Sequence, residues 1–342
     1  MARIRERWIG LWFEPAPAER LGMSRVLFFG ALFLFYVRQD FSNWGDVSSA
    51  FLTRVWLFDV LHLPLFSKDS LVILQFIWKL SLAFSCIGLL TRFSTATAFL
   101  LGLYFLGLPN NFGKVHHYDQ PLVFILGLMA FSRCGDSRSV DGFVASRRGP
   151  RTAARPPPSG EYTWPIRLVW LILALVFFAA GASKIRQSGL EWVASDNLAT
   201  LLIQAHYHFT NSDPLVPWSL QLARYESICQ SLAALTILLE VGYPLVLVSR
   251  VARWVWPPGT CLMLIGIRVL MGPNFEPFLI CSLFWVPWDR VEVRLTDRFR
   301  ARLGTTRRND VTGSRSARGG CPARARGAEP DRHLVPTIGD RH

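Results

Sequence analysis

The stretch W-P-I-R-L-V-W-L-I-L-A-L-V-F-F-A-A-G-A-S-K at residues 164–184 decides the fold. Its first twenty residues carry a single charge, Arg167, and as a helix they would rise about 30 Å, the thickness of a bilayer core. The apolar run then ends on Gly181 and Lys184. The sequence therefore predicts a membrane-spanning helix with a lysine at its end.

Composition favours a lipid environment for most of the chain. Of the 342 residues, 51% are hydrophobic and 13% are aromatic, and the apolar residues occur in blocks that Pro, Gly and Arg clusters separate. The basic, amphipathic start lacks the apolar core and cleavage site of a signal peptide, so we expect it to be retained. These features predict an all-α, polytopic membrane helix bundle.

Charge and cysteine usage argue against two other classes of protein. The net charge is +13, but 13 of the 37 basic residues are arginines between Arg290 and Arg341. Such a run is typical of a solvated, disordered tail that contacts anionic lipid headgroups, and it favours no nucleic-acid partner. The six cysteines form no C-x-x-C pair, so we predict neither structural zinc nor a disulfide framework.

The chain divides into a basic N-terminal segment (1–20), a helical membrane domain (21–290) and an Arg-rich tail (291–342). The membrane domain contains about eight candidate spans. The second, third, fifth and sixth are the longest, and the last two are divided by M-G-P-N, so they could instead form one re-entrant hairpin. The spans are 21–37, 71–90, 93–111, 118–133, 164–183, 226–249, 254–271 and 273–288.

The distribution of basic residues predicts the orientation, because Lys and Arg accumulate on the cytoplasmic side. With the N-terminus inside, the inner segments before the tail carry thirteen Lys and Arg and the outer ones carry seven. This favours cytoplasmic N- and C-termini, most simply in the plasma (inner) membrane. The loop G-K-V-H-H-Y-D-Q at 113–120 and the helix end at Lys184 then both face the non-cytoplasmic side.

Lys184 is the first candidate for chemistry, and two interpretations stay open. A lysine at the end of a membrane helix commonly snorkels, so that its ammonium reaches water. Alternatively, burial disfavours the ammonium form and leaves an amine able to remove a proton. Arg186 would assist this base if the two side-chain ends lie close.

The histidines give a weaker signal for metal binding than for hydrogen bonding. His116 and His117 are adjacent, so they point in different directions and one of them would hydrogen-bond at the mouth of a cavity. His206 and His208 share a face only on an extended strand and have no third ligand nearby. We therefore predict no metal site.

Glu240 lies within the sixth predicted span. An ionised carboxylate at that depth is costly unless it is paired or neutral, so intramembrane acids are candidates for function. Its candidate partners are Lys79, Arg167 and Arg268. A structural ion pair that orients the bundle is an equally weighted alternative.

Several elements, in order, resemble the membrane domain of the vitamin K-dependent gamma-carboxylases, the horizontally transferred transmembrane family. The helix end F-F-A-A-G-A-S-K-I resembles that family's aromatic-A-G-x-x-K-L element. The run beginning H-H-Y-D-Q-P-L and the turn S-V-D-G are similar to its histidine-containing helix start and its turn. E-V-G-Y-P at 240–244 and F-W-V-P-W-D at 284–289 also look like family elements, and the resemblance covers roughly residues 10–295.

The resemblance implies a quinol-dependent chemistry. Lys184 matches the family's proposed base, which deprotonates reduced vitamin K, and His117 matches a histidine thought to assist near the same centre. The implied cofactor is reduced vitamin K or menaquinol, and the quinol anion would react with oxygen to give the strong base that starts carboxylation. No metal is implied.

Two departures from the family limit what the resemblance implies. The Arg-rich residues 291–342 do not resemble the carboxylases' large extracytoplasmic substrate-binding domain, so a protein-glutamate substrate is not expected and the protein partner is left open. Ser183 stands where family members often carry a second basic residue. A non-enzymatic membrane scaffold or lipid-binding subunit is the main alternative. A transporter ranks lowest because no internal repeat is present.

Overall fold

The computed structural model describes residues 6, 9, 10, 12–113, 119–147, 156–207 and 214–291. In these ranges the regular structure is helical, without strands, and one antiparallel bridge joins Ala16 to Ser159. The prediction of an all-α fold is therefore confirmed for the described residues. The α-helices are α1 Ala18–Tyr36, α2 Trp56–Val60, α3 Lys68–Ile87, α4 Thr91–Gly107, α5 Gln120–Phe131, α6 Val140–Arg147, α7 Trp164–Ser188, α8 Glu191–Ala194, α9 Asn197–Tyr207, α10 Ser219–Ala223, α11 Glu226–Gly242, α12 Leu245–Val248, α13 Ala252–Met271 and α14 Glu276–Ser282.

Short 3-10 helices supplement these elements. They occupy Ser42–Asp46, Ser49–Phe51, Leu108–Phe112, Gly160–Tyr162 and Leu283–Trp285. The one at Leu108–Phe112 continues α4, and the one at Leu283–Trp285 continues α14. Such tight turns commonly extend the ends of α-helices.

Four helices in the described part of the chain are long and apolar enough to cross a membrane. They are Lys68–Ile87, Thr91–Phe112, Gly160–Ser188 and Ala252–Met271. These match the second, third, fifth and seventh predicted spans. The count of eight spans and the cytoplasmic location of both termini stay predictions.

The sixth and eighth predicted spans are shorter than the sequence pattern indicates. The helix predicted over 226–249 ends at Gly242, and Leu245–Val248 forms a separate turn of helix. Pro244 explains the break, because proline has no amide hydrogen to donate to the carbonyl four residues earlier. The apolar helix Glu276–Trp285 rises only about 15 Å, half of a bilayer core, which agrees with the re-entrant alternative.

The helices pack as two groups that share one main hydrophobic core, and a small second cluster lies between α9 and α11. In the first group α3 packs against α1 and α4, and α4 also packs against α5. In the second group α7 packs against α11, and α11 against α13. Contacts of α14 with α1 and α5, and of α5 with α7, join the two groups.

The first group is centred on Trp78, which is completely buried. Its indole nitrogen donates to the carbonyl of Ala98 at 3.2 Å. The rings of Tyr36, Phe41 and Phe105 lie 5.2–5.7 Å from the indole ring, within the usual range for aromatic pairs. This cluster fixes the relative position of α1, α3 and α4.

The S-V-D-G segment, predicted as a turn, is the start of α6 from Val140 onward, and its hydrogen bonds join α6 to the start of α4. Asp141 accepts hydrogen bonds from the amides of Leu90 (2.9 Å) and Thr91 (2.7 Å) and from the Thr91 hydroxyl (2.8 Å). The Asp141 amide in turn donates to the carbonyl of Gly88 at 3.1 Å. Asp141 thus satisfies amides at a helix start that the helix itself cannot satisfy.

Candidate functional site

The predicted base, Lys184, forms an ion pair with Glu240. Its ammonium donates to both carboxylate oxygens, at 2.6 Å from Oε2 and in direct contact with Oε1. The Glu240 side chain is 6% exposed and the Lys184 side chain 29%. Lys184 is therefore neither a free amine nor an anchor that extends into water: it compensates an almost fully buried carboxylate.

A close approach of α7 and α11 makes this pair possible. Gly181, one turn before Lys184, is buried at the crossing. A Cβ atom added there would lie 2.8 Å from Val241 Cγ2 and 2.9 Å from Glu240 Cβ, closer than packed carbon atoms approach. The glycine in A-G-A-S-K thus lets α11 bring its carboxylate to the level of the lysine.

Trp192 lies beside the ion pair. Its ring centroid is 5.2 Å from Lys184 Nζ, within the range of a cation–π contact. Trp192 also lines a cleft of about 490 Å³, together with polar residues of α7, α8 and α9. These are Ser188, Glu191, Ser195, Asp196, Asn197 and Thr200.

The position of Trp192 was not predicted as part of the site. The sequence places it in the connection after α7 and assigns it no role. The sequence contains one clue to the contact between Trp192 and Lys184. A glycine at position 189 lies between them, and it forms a turn with φ +60° that folds the chain back. That turn brings α8 against both α7 and α11.

The predicted histidine partner cannot be placed beside Lys184, since His116, His117 and His208 lie outside the described residues. His206 lies on α9, a helix and not the extended strand that a shared metal face would need. Arg186 is exposed and lies roughly 200° around α7 from Lys184. The assisting role considered for Arg186 therefore has no geometric support.

The three basic residues considered as partners of Glu240 pair elsewhere. Lys79 donates to the carbonyl of Gln39 at 2.6 Å, and Arg167 Nη2 donates to Glu14 Oε2 at 3.0 Å. Arg268 lies 3.8 Å from Glu276. The observed partner of Glu240 is Lys184. The sequence places Lys184 at the end of the fifth predicted span, so it was not among the expected partners of Glu240.

Within the described ranges no group of three His, Cys, Asp or Glu side chains is arranged to hold a metal ion. In comparisons with known proteins, no family model, no curated protein and no solved structure matches this chain. The resemblance to the gamma-carboxylase membrane domain therefore rests on the sequence elements alone.

The arrangement combines three capacities. A buried carboxylate and an ammonium in contact can exchange a proton, because the neutral acid and amine need no solvation. The indole offers a flat apolar surface on which an aromatic ring can stack. The adjacent cleft presents hydroxyl, amide and carboxylate groups that can accept hydrogen bonds.

Proposed function

We propose that this chain is a multi-pass membrane protein, with both termini cytoplasmic, whose Lys184–Glu240 pair accepts a proton from a hydroxylated, lipid-soluble ring such as menaquinol or reduced vitamin K. The observation that carries the proposal is the buried pair in contact with Trp192, a residue that also lines a cleft with acceptor groups. Four apolar helices support the membrane assignment.

The exposed surface also supports a lipid environment. Phe76 is 65% exposed, Phe93 76% and Trp254 74%, each on one of the four long apolar helices. A large apolar side chain in water is unfavourable, and many on one protein indicate contact with a partner or with lipid. A bilayer would also accommodate the apolar tail of a quinol.

The proton step can be written from the residues present. Lys184 passes its proton to Glu240 and then removes the proton of the ring hydroxyl. At the end of the step Glu240 is a neutral acid and Lys184 is an ammonium facing the ring oxygen, so one proton has moved from ring to carboxylate. The ammonium would stabilise the oxygen's charge in a poorly solvated site. A quinol supplies the reactivity toward dioxygen.

The quinol-dependent reaction tests this function. Purified protein supplied with menaquinol and oxygen should form the quinone epoxide, and Lys184→Ala and Glu240→Gln should each lose this activity. Arg186→Ala is the matched control, because it removes an exposed cation from the same helix end. Unchanged turnover in Lys184→Ala would refute the role of Lys184.

A second candidate function, a non-enzymatic membrane scaffold, is favoured by one observation: the pair itself joins α7 to α11. Exchanging the charges, Lys184→Glu with Glu240→Lys, distinguishes the two. If the pair is only structural, the exchanged protein should be as stable and as active as the unchanged protein. A proton-accepting pair should recover stability without turnover, because the amine and the acid then have the wrong positions relative to Trp192.

A further inference from the structure

A second polar cluster lies near the opposite end of α7. Arg20, Arg167 and Arg253 each occupy the first turn of a helix, in α1, α7 and α13 respectively. The first turn carries the positive end of the helix dipole, which stabilises anions and destabilises cations. Arg253 is partly compensated, because its Nε and Nη2 donate to the carbonyls of Val246 and Leu247 at 2.9 Å. The other two guanidinium groups need negative charge nearby.

Two of these guanidinium groups share one indole. Arg167 Cζ lies 4.5 Å, and Arg253 Cζ 5.2 Å, from the ring centroid of Trp170. Trp285 stacks on Trp170 at 4.3 Å and a 9° interplanar angle, so it covers one face of the indole. The two guanidinium carbons are thus within about 10 Å of each other, a distance at which like charges repel even in salt.

Arg167 is nearly completely buried but only partly hydrogen-bonded. The residue is 8% exposed, and its Nη2 donates to Glu14 Oε2. Its Nε and Nη1 are buried without an acceptor among the described residues. A buried donor without an acceptor is costly, and more so when it is charged.

The available acidic groups do not balance the cluster. Glu14 acts electrostatically on all three arginines, but its side chain is 63% exposed. Asp289 acts on Arg20, and two further cations, Arg250 and Arg290, act on the cluster. Among the described residues, five arginines thus face two carboxylates. The cluster therefore carries an excess of positive charge. This charge lies beside Arg167, two of whose donor atoms have no acceptor among the described residues.

We propose that Arg20, Arg167 and Arg253 form a binding site for a phosphate group, distinct from the Lys184–Glu240 site. A guanidinium presents its donors in a planar fork that matches phosphate oxygens. The three helix starts lie on the side assigned to the cytoplasm by the basic-residue count, at the level of lipid headgroups. The phosphate is that of an anionic lipid headgroup or a free phosphate, and Glu14 occupies part of its site.

The test uses full-length protein purified in a detergent free of phospholipid. Binding of short-chain phosphatidylglycerol, and separately of inorganic phosphate, is measured by native mass spectrometry. Arg167→Gln and Arg253→Gln should each weaken binding about ten-fold, because each removes a charge-assisted donor. Glu14→Gln should strengthen it several-fold, because a competing carboxylate is removed.

Arg92→Gln is the matched control, an exposed arginine assigned to the same side, and it should bind like the unchanged protein. The Arg-rich residues 291–342 are present in every variant, so they contribute equally. Comparable binding of lipid and inorganic phosphate would identify a general phosphate site, and binding of the lipid alone would identify a headgroup site. Equal affinity in the unchanged protein, Arg167→Gln and Glu14→Gln would overturn the proposal.

Glu14→Gln keeps the test decisive if Arg167→Gln does not fold. Its exposed side chain can be replaced without opening the core. In that case unchanged or weaker phosphate binding by Glu14→Gln is sufficient to overturn the proposal.

Discussion

At the residue scale, Glu240 is the buried charged group of α11, and Lys184 compensates the cost of burying it. The carboxylate is nearly completely buried and the ammonium is its hydrogen-bonding partner. Removing one partner of a buried pair leaves an uncompensated charge, whereas replacing both with apolar groups is often neutral.

This asymmetry gives a prediction about stability. Lys184→Ala should lower the free energy of unfolding by about 3 kcal/mol, because it leaves Glu240 buried without its cation. Lys184→Met combined with Glu240→Leu should recover most of that loss. Arg186→Ala, an exposed control, should change stability by less than about 0.5 kcal/mol. Denaturation in detergent micelles measures all three, and equal effects of Lys184→Ala and Arg186→Ala would contradict the burial argument.

Asp141 gives a prediction about pH at the same scale. Burial alone would raise the pKa of Asp141, but the hydrogen bonds from Thr91 and Leu90 together outweigh burial and hold the pKa below its ordinary value of 3.8. A folded-state pKa below the unfolded one means that the stabilisation is present above pH 3.8 and is lost as the pH falls through the folded value.

Asp141→Asn should therefore cost about 1 kcal/mol at neutral pH, as loss of a helix cap does, and should remove part of the destabilisation expected at acid pH. The measurement is the denaturation midpoint of both proteins between neutral pH and pH 3. Asp69→Asn is the exposed control. An identical pH dependence for Asp141→Asn and the unchanged protein would show that the carboxylate is not needed in its ionised form.

At the scale of elements, the crossing of α7 and α11 determines whether the site forms. Gly181→Ala should destabilise the protein by about 1–3 kcal/mol, because the added methyl group overlaps Val241 and Glu240 and must separate the helices. Gly266→Ala in α13 is the matched control. A Cβ atom there meets nothing within 4 Å, so this change should be neutral or slightly stabilising. Equal behaviour of the two variants would contradict the proposed close packing.

The same scale shows what sequence reasoning can and cannot predict. Hydropathy alone predicted the four long helices. The position of Lys184 at the end of one of them identified it as a candidate for chemistry. The depth of Glu240 identified it as a group in need of a partner. That the two residues meet depends on the relative register of α7 and α11, which no single segment encodes. Pro244 could have indicated the early end of α11, because proline has no amide hydrogen to donate within a helix. A proline alone does not predict a helix end, however, since α13 continues through Pro257 and Pro258.

Glu14 shows a second limit of sequence reasoning. It belongs to the segment 1–20 that the sequence separates from the bundle, yet it pairs with Arg167 in α7. Its neighbour Ala16 is buried and bridges to Ser159. A basic, amphipathic pattern predicts a surface segment but not the helix on which it docks.

At the scale of the whole molecule, the two clusters lie near opposite ends of α7. Lys184 lies seventeen positions after Arg167, a rise of about 26 Å along the helix, which is close to the thickness of a bilayer core. If α7 spans the membrane, one cluster faces each side.

Labelling of single cysteines tests this orientation. In a protein whose six native cysteines are replaced, Ser195→Cys near Trp192 should react with a membrane-impermeant maleimide in intact cells. Ser146→Cys in α6 should react only after the membrane is opened. Both positions are exposed, so burial does not limit labelling. The reverse pattern, or labelling of both from outside, would contradict the assigned topology.

The most direct test of the central claim is menaquinol turnover by Lys184→Arg. Arginine keeps the positive charge and can pair with Glu240 through two hydrogen bonds, but it does not lose its proton in proteins. We predict a stably folded protein whose oxygen-dependent turnover falls at least about 100-fold, the usual contribution of a positioned base. Turnover equal to that of the unchanged protein would contradict the claim that Lys184 exchanges a proton with the ring.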